Sequence, residues 1–186
     1  MNRFTSVFER VIDALDRLDI DHLVVGSVAA SHWGLIRSTQ DIDVVILVDP
    51  AEVPGLVPTL ESANLYVPHR AATAALAATG SFNVLDPTTA GKVDIFVCAA
   101  DDEFEAMRLR RRVRAEVFGV PTWVATPEDV ILSKLRWRTE SASEVQWRDC
   151  FELAAINDLD REHLRRWAET LGIASDLEEL LASLPE

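Results

Sequence analysis

Nowhere does an apolar run approach the ~20 residues needed to cross a bilayer, so a membrane-spanning helix is not expected. Cysteine is scarce. Cys98 and Cys150 are the only two, and Cys98 falls within an apolar strand pattern, which points to buried free thiols and not to a disulfide framework. The histidines His22, His32, His69 and His163 lack paired metal-ligand spacing, which argues against a zinc site. Repeats and low-complexity tracts are absent. A secretory leader is not expected either: MNRFTSVFERVIDALDRL mixes acids with apolar residues at helical spacing, and the expected setting is the cytoplasm. Excess positive charge is also missing. The net charge is −13, which excludes a general polyanion binder. One stretch departs from this: Arg108 to Arg138 holds eight Lys/Arg against three Asp/Glu.

At 186 residues, 48% of them hydrophobic, the chain can bury a substantial core. Phe4, Val7, Phe8, Val11, Ile12, Leu15 and Leu18 predict an amphipathic helix over 3–18. HLVVG then reads as a short buried strand, with Ser27 capping a helix that runs to about Leu35. DIDVVILV is a second strand. Residues 51–79 read as one or two helices interrupted by Pro54, Pro58 and Pro68. SFNVLD and KVDIFVCA are strands on either side of a Pro-Thr-Thr-Ala-Gly turn. A charged helix over 102–112 and a hairpin turning at Gly119 follow. TPEDVILSKLRWR opens with a Thr cap, a Pro at the first helical position and acids in the first turn. The last 45 residues read as helical, with Gly172 as a stop. The expected fold is α/β (α+β): a mixed sheet with flanking helices over 1–125, and a C-terminal helical bundle over 126–186 packed on it.

The chemistry concentrates in GSVAASHWGLIRSTQDID. Strand side chains alternate, so Asp41 and Asp43 share one face, ~7 Å apart along the strand. Such a pair suits a hard divalent cation, magnesium or manganese, although an acidic strand start at a solvent edge has the same look. Gly26-Ser27 joins a strand to a helix, where unpaired backbone N–H groups and a hydroxyl make a natural phosphate seat. Arg37, Ser38 and Thr39 lie just before the acid pair and add donors, unless Arg37 serves in a surface ion pair. For a third acid, Asp94 in mid-strand is preferred over Asp86, which precedes a proline and reads as a turn residue.

Taken together, G-S-x-A-x-x-x-x-G-x-x-R-x-T-x-D-I-D resembles the nucleotidyltransferase superfamily that shares the DNA polymerase β palm. More narrowly, with TPEDVILSKLRW, it resembles small prokaryotic members related to abortive-infection nucleotidyltransferase toxins. The resemblance runs from Leu23 to about Leu171. It implies a metal-dependent enzyme moving a nucleoside monophosphate from an NTP to a hydroxyl on a tRNA end, a protein or a small molecule. It assigns Gly26 and Ser27 to the phosphates, Asp41, Asp43 and Asp94 to the metals and catalysis, and Lys134 to the nucleotide or acceptor. Arg37 and Thr39 are kept as nucleotide-binding candidates.

Arg110, Arg111, Arg112 and Arg114 are expected either to receive a polyanionic acceptor or to answer a helix dipole in solvent. Trp137, Trp147 and Trp167 are expected to knit the helical tail to the sheet, Trp33 and Trp123 being the alternatives for base stacking. Asp149 is expected to pair with an arginine. The rival function is a catalytically idle nucleotide- or partner-binding module, one half of a toxin–antitoxin pair with a cognate antitoxin or toxin protein.

Overall fold

The computed structural model describes residues 3–36, 41–48, 55–141 and 143–185. The chain runs α1 (Arg3–Arg17), β1 (His22–Val24), α2 (Gly26–His32), β2 (Ile42–Val48), α3 (Leu56–Ser62), α4 (His69–Ala78), β3 (Gly80–Leu85) and β4 (Lys92–Ala99). It continues α5 (Glu103–Arg111), β5 (Val113–Val117), β6 (Val120–Val124), α6 (Pro127–Ser141), α7 (Glu144–Ile156), α8 (Arg161–Thr170) and α9 (Ala174–Ala182). The six strands form one sheet in the order β3-β4-β2-β1-β6-β5. It is mixed: β2 runs parallel to β4 and β1 parallel to β6, while the other neighbours are antiparallel. Among the described residues no helix is long and apolar enough to cross a membrane.

The two faces of the sheet differ, and that difference positions the site. On β4, Val93, Ile95 and Val97 are buried, as are Ile42, Val44, Ile46 and Val48 on β2. Helix α1 contributes Val7, Phe8, Val11, Ile12 and Leu15 to the same core and contacts β3, β4 and β6. The alternate residues Asp43, Asp94 and Cys98 are half-buried, and Phe96 is 37% exposed. Alternation thus gives β4 a sealed face and a more open one, and leaves Asp43 and Leu47 half-buried on the same side of β2, where Val45 is buried.

Several local expectations are corrected. Helix α2 ends at His32, because Gly34 adopts φ +98 and the Trp33 N–H closes the helix on Ala29 and Ala30. Ser27 is not its cap: Val25 holds that position with no side-chain bond, and Ser27 lies inside the first turn. Pro58 does not interrupt α3; it sits in the first turn, where its missing N–H has no helical partner to lose. Thr126 caps α6 as expected, accepting from the Asp129 N–H. Cys150 is buried and Cys98 only half-buried on the open face, and both thiols are free.

The tryptophans also divide. Trp167 packs on Phe104 with ring centroids 5.5 Å apart, joining α8 to α5. Trp147 lies half-buried under the Arg138 guanidinium. Trp137, by contrast, is 59% exposed and knits nothing.

Candidate active site

The site begins with register. Parallel pairing sets Asp43 of β2 directly opposite Asp94 of β4, so the two carboxylates leave the same face of neighbouring strands. Asp41 immediately precedes β2 and its carboxylate reaches the same group of side chains. Gly26 meets them from the end of β1. The Val25 N–H donates to the Asp43 carbonyl, which brings the β1–α2 turn against β2. Gly26 has φ +62, and a Cβ there would lie 2.2 Å from Asp43 Oδ2. Glycine is therefore required twice over, by the backbone conformation and by the carboxylate resting on it.

The half-buried Asp43 and Asp94 and the exposed Asp41 repel one another. The Asp43 carboxyl is pushed up to about 6, first by burial and then by the charges of Asp94 and Asp41. Lys92 and Lys134 oppose that rise without cancelling it. Lys92 Nζ donates to Asp94 Oδ2 and bridges to Asp41 Oδ1, each at 2.9 Å. Asn83 of β3 lies opposite Asp94 and donates its side-chain N–H to Oδ1. Lys134 is buried on α6, where it donates to Asp149 at 2.9 Å and to Gln146 at 3.0 Å. Among the described residues the cation on Asp149 is this lysine; an arginine was expected.

The donor types suit a hard cation: carboxylate oxygens of Asp43 and Asp94 on one face, with negative charge that Lys92 and Lys134 offset only in part. Among the described residues no group of three or more His, Cys, Asp or Glu side chains is placed so that it could hold a metal ion as it stands. Lys92 stands between two of the acids instead.

Of the residues singled out in the sequence, Gly26, Asp41, Asp43 and Asp94 come together, with Ser27 next to Gly26 and Lys134 within reach of Asp43 by its field. Arg37 and Thr39 lie outside the described residues, as does Ser38. Asp86 belongs to the β3–β4 turn and not to this group.

The basic segment is largely committed internally. Arg108 pairs with Glu105, Arg111 reaches Glu128 and Asp160, and Arg112 bonds Asp21 at 2.7 Å. Arg112 and Arg114 also stack their guanidinium groups over the Trp123 ring, at 4.8 and 5.0 Å from its centre. Arg110 lines a shallow groove with Arg112, Asp21 and Leu47. Trp33 is tied into the fold by its Nε1 donating to the Ala125 carbonyl.

Two site residues escaped the sequence reading. Lys92 carries a signal, since a Lys two positions before an Asp on a strand shares its face. Asn83 carries none until the β3–β4 register is known.

No family model matches the chain, and no curated protein matches it. Solved structures do. The solution structure of the antibiotic-resistance factor ANT(2'')-Ia aligns at TM-score 0.55 with 17% identity, covering 98% of this chain and 92% of that one. The crystal structure of ANT(2'')-Ia in complex with adenylyl-2''-tobramycin aligns at TM-score 0.50 with 16% identity, covering 96% and 95%. An antigenic nucleotidyltransferase-like protein from Paracoccidioides brasiliensis aligns at TM-score 0.47 with 17% identity, covering 97% and 94%. At these identities the likeness is one of architecture: the chain has the mixed-sheet fold of the nucleotidyltransferases.

Proposed function

We propose that this protein transfers a nucleoside monophosphate from an NTP to a hydroxyl, with magnesium or manganese held by Asp41, Asp43 and Asp94. The observation that carries this reading is the Asp43–Asp94 register, with Gly26 directly beneath the Asp43 carboxylate. Three acids beside one another, one of them pushed up to about 6, form a costly arrangement that the Lys92 ammonium offsets only in part.

Divalent ions bound there would neutralise the triphosphate and acidify the acceptor hydroxyl. The side chains have simpler tasks. Asp94, steadied by Asn83, takes the hydroxyl proton. Gly26 and Ser27 offer donors to the phosphates, and Arg37 and Thr39 add to them. Lys134, held by Asp149 and Gln146, supplies a fixed positive charge on the nucleotide side. Positioning and charge compensation do most of the catalysis.

The acceptor we favour is a cationic small molecule bearing hydroxyls. The net charge of −13 favours a cation, and Arg111 and Arg112 are already paired within the chain. The likeness to ANT(2'')-Ia, solved with adenylyl-2''-tobramycin, points the same way. The resemblance to abortive-infection toxins puts a tRNA end or a protein hydroxyl next. The test is transfer of α-labelled NTPs, with magnesium or manganese, to aminoglycosides, to total tRNA and to a protein extract. Label in the first pool, lost in Asp43→Asn, supports the full reading; label in another pool moves the acceptor. Label in none of them, with any NTP, overturns the enzymatic reading. An idle module would then stand, and the ammonium already bridging Asp41 and Asp94 is the observation that favours it.

A further inference from the structure

Lys92 Nζ occupies the space between Asp41 Oδ1 and Asp94 Oδ2, 2.9 Å from each. The side chain is 31% exposed, so its stem can swing toward solvent. An ammonium and a hard divalent cation seek the same partners, carboxylate oxygens at short range. They cannot share one gap. Lys92 and Asp94 are two residues apart on β4 and leave the same face, so the fold keeps this lysine beside the acids whether or not a metal is present.

We propose that Lys92 is the resident counter-ion of the acid cluster, and that a divalent cation enters the Asp41–Asp94 gap only by displacing it. The inference rests on the metal-site reading given above. Without Lys92, the described cation whose field still reaches Asp43 would be Lys134, and Lys134 is bound to Asp149. With Lys92 in place the corner is tolerable in the absence of metal. The consequence is selectivity. A monovalent ion gains nothing by exchanging with an ammonium, whereas a doubly charged ion does. A free divalent ion must still break two ion pairs to enter. One arriving with a triphosphate brings phosphate oxygens that receive the released ammonium. Lys92 would then couple metal entry to nucleotide entry as a positioning residue, acting through the carboxylates.

The experiment measures Mn²⁺ binding to the full chain without nucleotide, by the loss of the free Mn²⁺ signal in electron paramagnetic resonance. Wild type, Lys92→Met and Lys92→Arg are compared, with Asp43→Asn as the no-site control. Lys92→Met keeps the apolar stem and removes the charge. It is expected to bind Mn²⁺ about tenfold or more tightly than wild type, because no internal cation competes. Lys92→Arg keeps the charge and is expected to bind no more tightly than wild type. Thermal unfolding adds a second readout: Lys92→Met melts below wild type without metal and gains more from Mn²⁺. Should Lys92→Met fail to fold, Lys92→Gln makes the same comparison. Equal affinity in wild type and Lys92→Met, abolished by Asp43→Asn, would overturn the role of Lys92 and leave the metal site standing. No Mn²⁺ binding by Lys92→Met at millimolar metal would overturn both.

Discussion

Asp43 and Asp86 stand at the same end of the sheet, on opposite faces, and the protein treats them in opposite ways. Asp86, just past β3, is 1% exposed. Burial alone would raise its carboxyl. Hydrogen bonds from the Thr88 side chain and N–H and from the Thr89 hydroxyl, with the Arg10 guanidinium alongside, hold it well below the usual range instead. Asp43 is less buried, yet its carboxyl goes up to about 6. The charges that act on it most are those of two more acids. An acid whose charge the chain satisfies belongs to the fold. One that the chain leaves under-compensated, on an open face, is the kind that a cation from outside would relieve. This contrast separates Asp86 from Asp43, the proposed metal ligand, more sharply than burial does, since by burial alone Asp86 would look the more unusual.

The largest effect expected is on the functional side. Asp43→Asn should lower nucleotidyl transfer by on the order of a thousandfold or more, the scale on which a preorganised electrostatic contact contributes to a transition state. The same substitution should leave the melting temperature equal or higher at pH 8, because it removes an under-compensated charge. Loss of transfer together with a lower melting temperature would move Asp43 into the Asp86 class and dissolve the contrast.

Gly26→Ala comes next. The new Cβ would need φ +62 and would lie 2.2 Å from Asp43 Oδ2. A cost of about 2–3 kcal/mol is expected from the strain and the displaced carboxylate, read by denaturant unfolding. Wild-type stability in Gly26→Ala would show that the β1–α2 turn does not press on Asp43. On the structural side, Asp86→Asn should cost about 2 kcal/mol, since it weakens charge-assisted bonds to Thr88, Thr89 and Arg10. Transfer per folded molecule should be unchanged, and a selective loss of transfer would place Asp86 in the site.

Much of this was legible in the sequence because the responsible signals are local. Alternation in DIDVVILV and KVDIFVCA set the faces of β2 and β4, and the proline after Asp86 marked it as a turn residue. The Thr-Pro-Glu-Asp start of α6 was equally plain. What escaped depended on partners distant in sequence. Lys134 finds Asp149 only when α6 and α7 pack together, so Asp149 was expected beside an arginine. Arg111 and Arg112 looked like a free cationic surface until folding brought Glu128, Asp160 and Asp21 to them. Asn83 became a site residue only through the hairpin register that sets it opposite Asp94. A composition-level excess of charge says little about what stays unpaired once the chain closes.

The smallest effect expected is also the one that reads the contrast most directly. In the folded protein burial and the charges of Asp94 and Asp41 push the Asp43 carboxyl up to about 6, from 3.8 for an ordinary aspartate. A raised carboxyl binds its proton more tightly in the folded state, so stability is full below about 3.8 and declines as pH rises through about 6. Asp86 has the opposite sign: its depressed carboxyl stabilises the fold above about 3.8, and that stability is lost as pH falls. Subtracting the melting curve of wild type from that of Asp43→Asn cancels Asp86 and leaves Asp43 together with the acids coupled to it. Without metal, the difference should be near zero at pH 4 and should grow through pH 6. It should level off above pH 7 at about 1–2 kcal/mol, a few degrees for a chain of this size. Magnesium should shrink that difference by stabilising wild type alone, because the cation supplies what Asp43 lacks. A difference that is flat from pH 4 to pH 8 would mean that the chain already compensates Asp43 as it compensates Asp86.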